Sequence, residues 1–320
     1  MFWDKLKKPF FVLAPMHDVT DAAFRETLAH FGKPDVIFTE FVSVDGLCHE
    51  KSREKMNRYY LQFTNAQRPI VAQIWGNNPE HFFEAAKYVA SLGFDGIDIN
   101  MGCPDKSVIK QGGGAALILD FNRAKEIIEA TKKGAGNLPV SVKTRIGFDE
   151  IITESWIGSL LSSKPAVITI HGRTKKELSR VPAHWDEIGK AAQMAKGSGI
   201  YIIGNGDVSS KKQGIDLAEK FSIDGIMVGR AVLGNPWFFS DIEISGIPVS
   251  DKLSALEYHA KKFDEYFTDI KRFAHFRKHI KGYISDFNGA KELRTELMSA
   301  KDSLQLSELI KKHRDEYIVR

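Results

Sequence analysis

The chain has 320 residues, of which 43% are hydrophobic and 27% are charged, so it can form a large globular core and a second, smaller domain. The formal net charge of +4 permits a polyanionic partner without demanding one. The two cysteines, Cys48 and Cys103, argue against a disulfide scaffold and favour a reducing compartment.

The amino terminus carries no signal for secretion or membrane insertion. Residues 1–8 contain no long apolar core and no small-residue cleavage site, so we expect no signal peptide. No apolar run approaches the roughly 18 uninterrupted residues that a membrane helix needs. We therefore expect a cytoplasmic protein that does not enter a membrane.

Short apolar, β-branched runs alternate with amphipathic stretches of helical length. This alternation predicts βα units around a parallel sheet. Eight such runs are present, which is the number that closes a (β/α)₈ or TIM barrel, a fold of typically about 250 residues. We therefore predict an α/β protein with a TIM barrel over residues 1–245. The predicted strands cover residues 11–14, 36–39, 70–73, 96–99, 140–143, 167–170, 201–204 and 225–228.

The strand pattern stops after Gly229-Arg230. Asn235-Pro236 and Gly246-Ile247-Pro248 predict a linker, because proline and glycine interrupt regular structure. From about Ser254 the chain shows helical periodicity in four segments, the first beginning with a capping-box pattern from Ser254 to Glu257. We expect an all-helical domain over residues 250–320.

The second helical segment, residues 271–281, is rich in lysine and arginine with interleaved aromatic residues, and we call it the basic segment. Two interpretations are open. The segment could be a solvated helix whose residues Phe273, Phe276 and Ile280 face a small core. It could also be a surface that binds nucleic acid.

Cys103 lies between Gly102 and Pro104, directly after the fourth predicted strand. This setting predicts a turn at the carboxyl end of the strand, which is where parallel α/β folds keep their chemistry. Taken alone, Cys103 could be an inert buried residue. A thiol with a pKa of about 8.5 is mostly protonated at neutral pH, so it suits a general acid at least as well as a nucleophile.

Polar side chains follow most of the other predicted strands as well. Lys143 could be paired with an acid and His171 could be a core histidine, if each is taken alone. In a barrel, however, the carboxyl ends of all strands meet at one rim, so these residues are expected to lie together. The rim set comprises Pro15, Met16, Gln73, Asn100, Cys103, Lys143, Arg145, His171 and Arg173.

The loops after the seventh and eighth strands, Asn205-Gly206-Asp207 and Gly229-Arg230, predict a phosphate site. Barrels often bind phosphate with these two loops. Glycine lets backbone N–H groups approach an anion, and Arg230 adds a charged donor. We expect a phosphorylated cofactor there, with Lys143 placed to neutralise negative charge on its ring. The sequence assigns no metal ligand.

Taken together, these motifs resemble the tRNA-dihydrouridine synthase family along nearly the whole chain. The resemblance rests on the order and spacing of several segments, and it extends to the helical region. The matching segments are residues 14–16, 100–104, 112–117, 142–147, 171–174, 204–207, 229–231, 277–279 and 289–294.

The resemblance implies an enzyme that reduces the C5–C6 bond of specific uridines in tRNA, with FMN as cofactor and NADPH as reductant. It implies that Cys103 protonates C5 of uracil and that tRNA is the partner, and it implies no stable protein partner. The implied FMN contacts are Pro15, Met16, Gln73, Lys143, His171, Asn205, Gly206, Asp207, Gly229 and Arg230. The implied substrate contacts are Asn100, Arg145, Arg173, Arg277 and Lys278.

Two other functions are weighed against this one. An FMN-dependent barrel that acts on a small molecule, similar to dihydroorotate dehydrogenase, would have no use for the basic helical domain. An RNA-binding protein with a degenerate barrel would need neither flavin nor Cys103, and the rim set argues against it. The sequence does not indicate which uridine is reduced, the preference between NADPH and NADH, or the oligomeric state.

Overall fold

The structure, a computed structural model, describes residues 1–242 and 246–318 of the chain. Every predicted strand is present, together with one short strand, β3, that was not predicted. The strands are β1 Phe10–Leu13, β2 Ile37–Phe38, β3 Val42–Ser43, β4 Ile70–Trp75, β5 Gly96–Met101, β6 Val140–Arg145, β7 Val167–His171, β8 Tyr201–Asn205 and β9 Gly225–Val228.

The strands form a closed parallel ring. They are hydrogen-bonded in the order β1-β9-β8-β7-β6-β5-β4-β2. A bridge between Val12 and Val36 joins the two ends, and the Leu13 N–H donates to the Val36 carbonyl at 3.0 Å. β3 pairs with the last residues of β4, so it continues the second strand beyond the predicted range. The predicted TIM barrel is confirmed.

Helices alternate with these strands along the chain. No helix in the described part of the chain is long and apolar enough to cross a membrane. The helices up to the last strand are α1 Ala22–Phe31, α2 Val44–Cys48, α3 Glu50–Met56, α4 Pro79–Ser91, α5 Lys106–Lys110, α6 Phe121–Ala135, α7 Thr153–Ser162, α8 Trp185–Ala195 and α9 Lys211–Phe221.

Alternation along each strand decides which side chains enter the barrel. In β1, Phe11 and Leu13 join the core beneath the helices, whereas Phe10 and Val12 join a separate interior cluster with Trp3. Successive residues of a strand face opposite sides of the sheet, so every second residue points into the interior of the barrel. Toward the carboxyl ends this interior set becomes polar. Its polar members are Gln73, Asp98, Asn100, Ser141, Lys143, Arg145, Thr169, His171 and Asn205.

The chain from residue 249 is helical, and its helices are α10 Val249–Phe267, α11 Arg277–Tyr283, α12 Ala290–Leu297 and α13 Ser303–Ile318. The helix start predicted at Ser254 is wrong. The helix begins directly after Pro248, because proline lacks an N–H and fits ahead of the first turn. Ser254 lies inside α10, where its hydroxyl donates to the Ser250 carbonyl at 2.9 Å. The predicted barrel boundary at residue 245 and the predicted last residue, 320, lie outside the described residues.

The basic segment is not one continuous helix. A 3₁₀ turn at Phe273–His275 precedes α11. Its apolar residues Phe273, Phe276 and Ile280 are buried in the core of the helical region, as the first interpretation predicts.

The predicted linker contributes to both cores. Trp237 packs with the helical region, whereas Phe238 and Phe239 pack with the barrel, and all three are buried. Just before them, Gly234 has φ +73°, and a Cβ there would lie 2.0 Å from the backbone of Gly282 in α11. The connection is therefore a packed element rather than a loose tether.

The barrel and the helical region share a broad interface. Ala22 and Ala23 of α1 belong to the core of the helical region. At the edge of this interface, Lys271 Nζ lies 3.7 Å from Asp21, and Lys278 Nζ lies 2.6 Å from Asp18.

Candidate active site

A cavity of about 650 Å³ opens at the carboxyl ends of the strands. Its size is in the range of small-molecule and cofactor sites. Most of the predicted site residues line it, namely Pro15, Met16, Asn100, Cys103, Lys143, Arg145, His171, Asn205, Gly206, Asp207, Gly229 and Arg230. Residues that were not predicted also line it, among them Phe41, Val208, Ser209 and Met227.

Asn100 shapes the turn that carries Cys103. The Asn100 side-chain oxygen accepts the backbone N–H of Gly102 at 3.1 Å and that of Cys103 at 2.9 Å. Because both bonds converge on one oxygen, the chain turns sharply after β5. The thiol is thereby held on a loop that lines the cavity, as predicted.

The glycine-rich stretch after the cysteine packs against this turn. Gly114 has φ +58°, and a Cβ at this position would lie 2.8 Å from the Cys103 carbonyl oxygen. The same carbonyl accepts the Ala115 N–H at 3.0 Å. Glycine is therefore required for the close approach of the two loops.

Burial raises the pKa of the Cys103 thiol above its ordinary value, and a hydrogen bond from the Asp105 backbone partly opposes this effect. The thiol is therefore protonated at neutral pH. A protonated thiol on a cavity wall can donate a proton to a bound molecule.

Lys143 and Arg145 bring positive charge to the centre of the cavity. Burial, with Arg145 as the next cause, lowers the pKa of Lys143 to about 8. Lys143 Nζ donates to the Asn205 side-chain oxygen at 3.3 Å. Arg145 donates to the Gly102 carbonyl at 2.7 Å, so it also braces the cysteine turn.

His171 is neutral in this setting. Burial lowers its pKa well below the ordinary value, and Arg145, Lys143 and Arg173 act in the same direction. Its Nε2 lies 3.1 Å from an Arg173 nitrogen, so the neutral ring accepts a hydrogen bond there.

The two glycine loops, at residues 205–207 and 229–230, line one end of the cavity. Gly206 has φ +137°, and a Cβ there would lie 2.6 Å from the Ala183 methyl group. Arg230 is two-thirds exposed and donates to an Asp207 oxygen at 3.0 Å. The other Asp207 oxygen bonds Arg173. Both arginines therefore bond the Asp207 carboxylate, and Arg230 is much the more exposed of the two.

Several predicted site residues do not line the cavity. Gln73 is fully buried and bonds Asn100, and Arg173 is 2% exposed and bonds Asp207, His171 and the Val181 carbonyl. In the helical region, Arg277 donates to the Ala300 carbonyl at 3.0 Å. Lys278 pairs with Asp18 of the barrel.

The chain matches the family described as Dihydrouridine synthase (Dus) over residues 12–316. A probable tRNA-dihydrouridine synthase from Staphylococcus aureus (strain MRSA252) is 41% identical over 313 residues, which are 97% of this chain and 94% of that protein. Probable tRNA-dihydrouridine synthase 2 from Bacillus subtilis (strain 168) is 39% identical over 322 residues, 99% of this chain and 98% of that protein.

Among solved structures, histamine dehydrogenase from Rhizobium sp. 4-9 is similar with a TM-score of 0.53 and 14% identity. The match covers 85% of this chain and 48% of that chain. At this level of identity the likeness concerns the fold alone.

Proposed function

Because this chain belongs to the dihydrouridine synthase family, we propose that it is a tRNA-dihydrouridine synthase that uses FMN, with NADPH as the reductant. It would reduce the C5–C6 bond of specific uridines in tRNA. The observation that carries the proposal is that the Cys103 thiol, the cations Lys143 and Arg145, and the two glycine loops with Arg230 all line one cavity.

The residues of the cavity fit FMN. The loops at Gly206 and Gly229, with Arg230, would hold the phosphate through backbone N–H groups and one guanidinium. Lys143 would stabilise negative charge on the ring system, since its ammonium lies in the interior of the cavity. Pro15, Met16, Asn205 and His171 would contact other parts of the cofactor, and Gln73 would support them from below. When bound, FMN would supply the hydride that is added to uracil C6.

Cys103 would supply the proton. Its Sγ–H would donate to C5 of uracil as hydride is added at C6, so the C5–C6 double bond becomes single and a thiolate remains on Cys103. Arg145 and Asn100 would face the polar edge of the base. The cations that surround the thiol stabilise this thiolate, which lowers the barrier to proton donation.

The uridine would have to leave its stack to reach the thiol. Cys103 is two residues past the end of β5 and lines the cavity wall, whereas bases in folded tRNA are largely covered. The enzyme would therefore bind the flipped nucleotide inside the barrel and the surrounding RNA outside it.

Positive side chains of the basic segment would bind the RNA phosphates. Arg272, Lys278 and Lys281 are exposed, and Lys278 remains about one-third exposed in its pair with Asp18. Arg277 would act mainly by holding the Ala300 carbonyl, although its guanidinium lies on the same helix. Arg173 would act through Asp207 and His171.

The test has two parts. The purified protein should show flavin absorbance or acquire it on incubation with FMN. After reduction by NADPH, it should be reoxidised by tRNA that lacks dihydrouridine, with dihydrouridine appearing at a defined position. A folded protein that takes up no FMN would contradict the proposed cofactor. Reoxidation by a small enone or orotate, but not by tRNA, would instead favour a barrel that acts on small molecules.

A further inference from the structure

A carboxylate lies inside the barrel, one layer below the cavity. Asp98 of β5 is fully buried, and cross-strand register places it between Gln73 of β4 and Ser141 of β6. Burying a carboxylate in a barrel is costly unless its oxygens are hydrogen-bonded. Such a residue therefore needs a structural or functional reason.

Both oxygens of Asp98 have donors. Ser141 Oγ lies 2.6 Å from one oxygen, and the Gln73 amide nitrogen lies 2.7 Å from the other. Burial raises the pKa of Asp98 to about 6, and the hydrogen bonds from Ser141 and Gln73, followed by the charge of Lys143, partly oppose this effect. The amide nitrogen of Gln73 can only donate, so the Asp98 oxygen that faces Gln73 acts as an acceptor.

The bonds continue from Gln73 to the cysteine turn. The Gln73 side-chain oxygen accepts from the Asn100 amide nitrogen at 2.9 Å. The Asn100 oxygen in turn accepts the Gly102 and Cys103 N–H groups. Each donor points toward the next acceptor, and the series ends on Asp98.

The direction of this series matters because amides can be reversed. If Gln73 turned over, its nitrogen would face the Asn100 nitrogen. If Asn100 then turned over as well, its nitrogen would face the N–H groups of the cysteine turn. The acceptor at Asp98 disfavours both reversals.

We propose that Asp98 is a positioning residue that sets the orientation of the Gln73 and Asn100 amides and thereby holds the Cys103 thiol in place. It touches neither the thiol nor the cavity. The geometric part stands on the described contacts, and only the catalytic consequence rests on the proposed function of Cys103.

The test measures the Cys103 thiol directly, in protein freed of any flavin and without RNA. The variants are D98N, which keeps the shape but permits either amide orientation, and D98L, which removes the acceptor. D95N is the matched control, because Asp95 precedes the same strand and caps its opposite end through Arg68 and the Ile70 N–H. S141A is the second control, since it removes the other partner of Asp98 and leaves the bond to Gln73.

The measurement is the rate of alkylation by iodoacetamide as a function of pH, resolved by peptide mass spectrometry, with Cys48 as the internal reference. The charged groups that face the thiol are Arg145 and Lys143, which lower its pKa, and the Asp105 carboxylate, whose charge raises it. In the Asp98 variants the turn would no longer hold Cys103, so its thiol would become less buried. We expect alkylation at pH 7 to rise about threefold in D98N and about tenfold in D98L, with the pH midpoint moving down. D95N and S141A should keep the wild-type curve.

A merely structural role predicts something else, namely lower melting temperatures in D98N and D98L with an unchanged pH curve at Cys103. That result would overturn the proposal. If D98L does not fold, D98N alone decides, because its side chain has the same shape as aspartate. A changed thiol curve in a protein that binds no flavin would leave this inference standing and contradict the proposed function instead.

Discussion

The cavity of the barrel and the basic segment both concentrate positive charge, but they use it differently. In the cavity, Lys143 and Arg145 sit among polar neighbours and face open space. In the basic segment, Lys271 is 7% exposed beside Asp21, and its ammonium lies 4.3 Å from the centre of the Phe267 ring. The cations of the cavity face open space, whereas the basic segment uses part of its charge in contacts between two parts of the protein.

This difference teaches that a run of cations in the sequence is not by itself a ligand surface. The strands direct the side chains into the cavity, because the position of a residue along a strand decides which side of the sheet its side chain faces. In the basic segment, the partner of each cation lies far away in sequence. The variants below separate the charges that serve chemistry from those that serve assembly, starting with the largest expected effect.

Cys103→Ala should have the largest effect. We expect oxidation of reduced flavin by tRNA to slow by about 10²–10⁴-fold, the loss that is typical when a general acid is removed. Flavin content, measured by absorbance, and tRNA affinity, measured by a binding titration, should be preserved, while rapid mixing measures the oxidation step. Cys48→Ala is the control, since Cys48 ends α2, outside the cavity lining. If Cys103→Ala were oxidised by tRNA at the wild-type rate, the Cys103 thiol would have a structural role only.

Glu40→Gln tests the boundary between the two regions. Glu40 is fully buried, accepts the Asp18 N–H, and its Oε2 finds no hydrogen-bond partner within residues 1–242 and 246–318. Burial raises the pKa of Glu40 from 4.5 to about 7, with Asp21 as the next cause. Between these two values the folded state holds a proton that the unfolded state lacks.

The free energy of unfolding of the wild type should therefore lose this contribution as pH rises from 4.5 to 7. The lost contribution is at most about 3 kcal/mol. Glu40→Gln does not titrate, so its stability relative to the wild type should increase across this window and level off above it. Urea unfolding at pH 5 and pH 8 measures the difference. Parallel pH profiles for the two proteins would show that Glu40 does not titrate in this way.

Arg230→Ala should weaken FMN binding by about tenfold, because a charge-assisted hydrogen bond to phosphate is lost. The fold should be little affected, since Asp207 keeps its bonds to Arg173 and to the Ala183 N–H. Fluorescence titration with FMN gives the affinity, and thermal unfolding without FMN gives the control. An unchanged affinity would mean that the backbone of the two loops suffices for the phosphate.

The smallest effects are expected in the basic segment. The double variant Arg272→Ala/Lys281→Ala should weaken tRNA binding a few-fold and reduce the salt slope by about 2, without changing the melting temperature. Lys271→Met should do the opposite, lowering the melting temperature and leaving the salt slope unchanged. If Lys271→Met changed the slope instead, the division between exposed and docking cations would be wrong.

Much of the barrel could be predicted from the sequence, because each strand is a short local run with its own signal. The cavity residues followed from position after those strands. Asp98 was missed because it lies within the apolar run 96–99. It is, however, two residues before Asn100 on the same strand, so the two side chains face the same side. This spacing of two residues was the available signal that the Asp98 side chain points into the barrel.

The helical region was harder to predict because its boundaries depend on contacts that are distant in sequence. The residues from Ser254 to Glu257 match a capping box, but α10 begins earlier, directly after Pro248. The proline and glycine residues near 235–248 indicated a linker, but the aromatic residues Trp237, Phe238 and Phe239 between them find partners in both cores. Single-sequence patterns do not contain those partners.

The interface between α1 and α10 also has a consequence for the order in which the protein is made. The apolar face of α1 at Ala22 and Ala23 is synthesised early, but α10, which covers it, follows the last strand. At roughly 5–20 residues per second, a ribosome would leave that face uncovered for about 10–50 seconds, and Trp237 for a few seconds. We therefore expect the nascent barrel to be a chaperone substrate until α10 has emerged, and chains interrupted before α10 to aggregate rather than accumulate as free barrels.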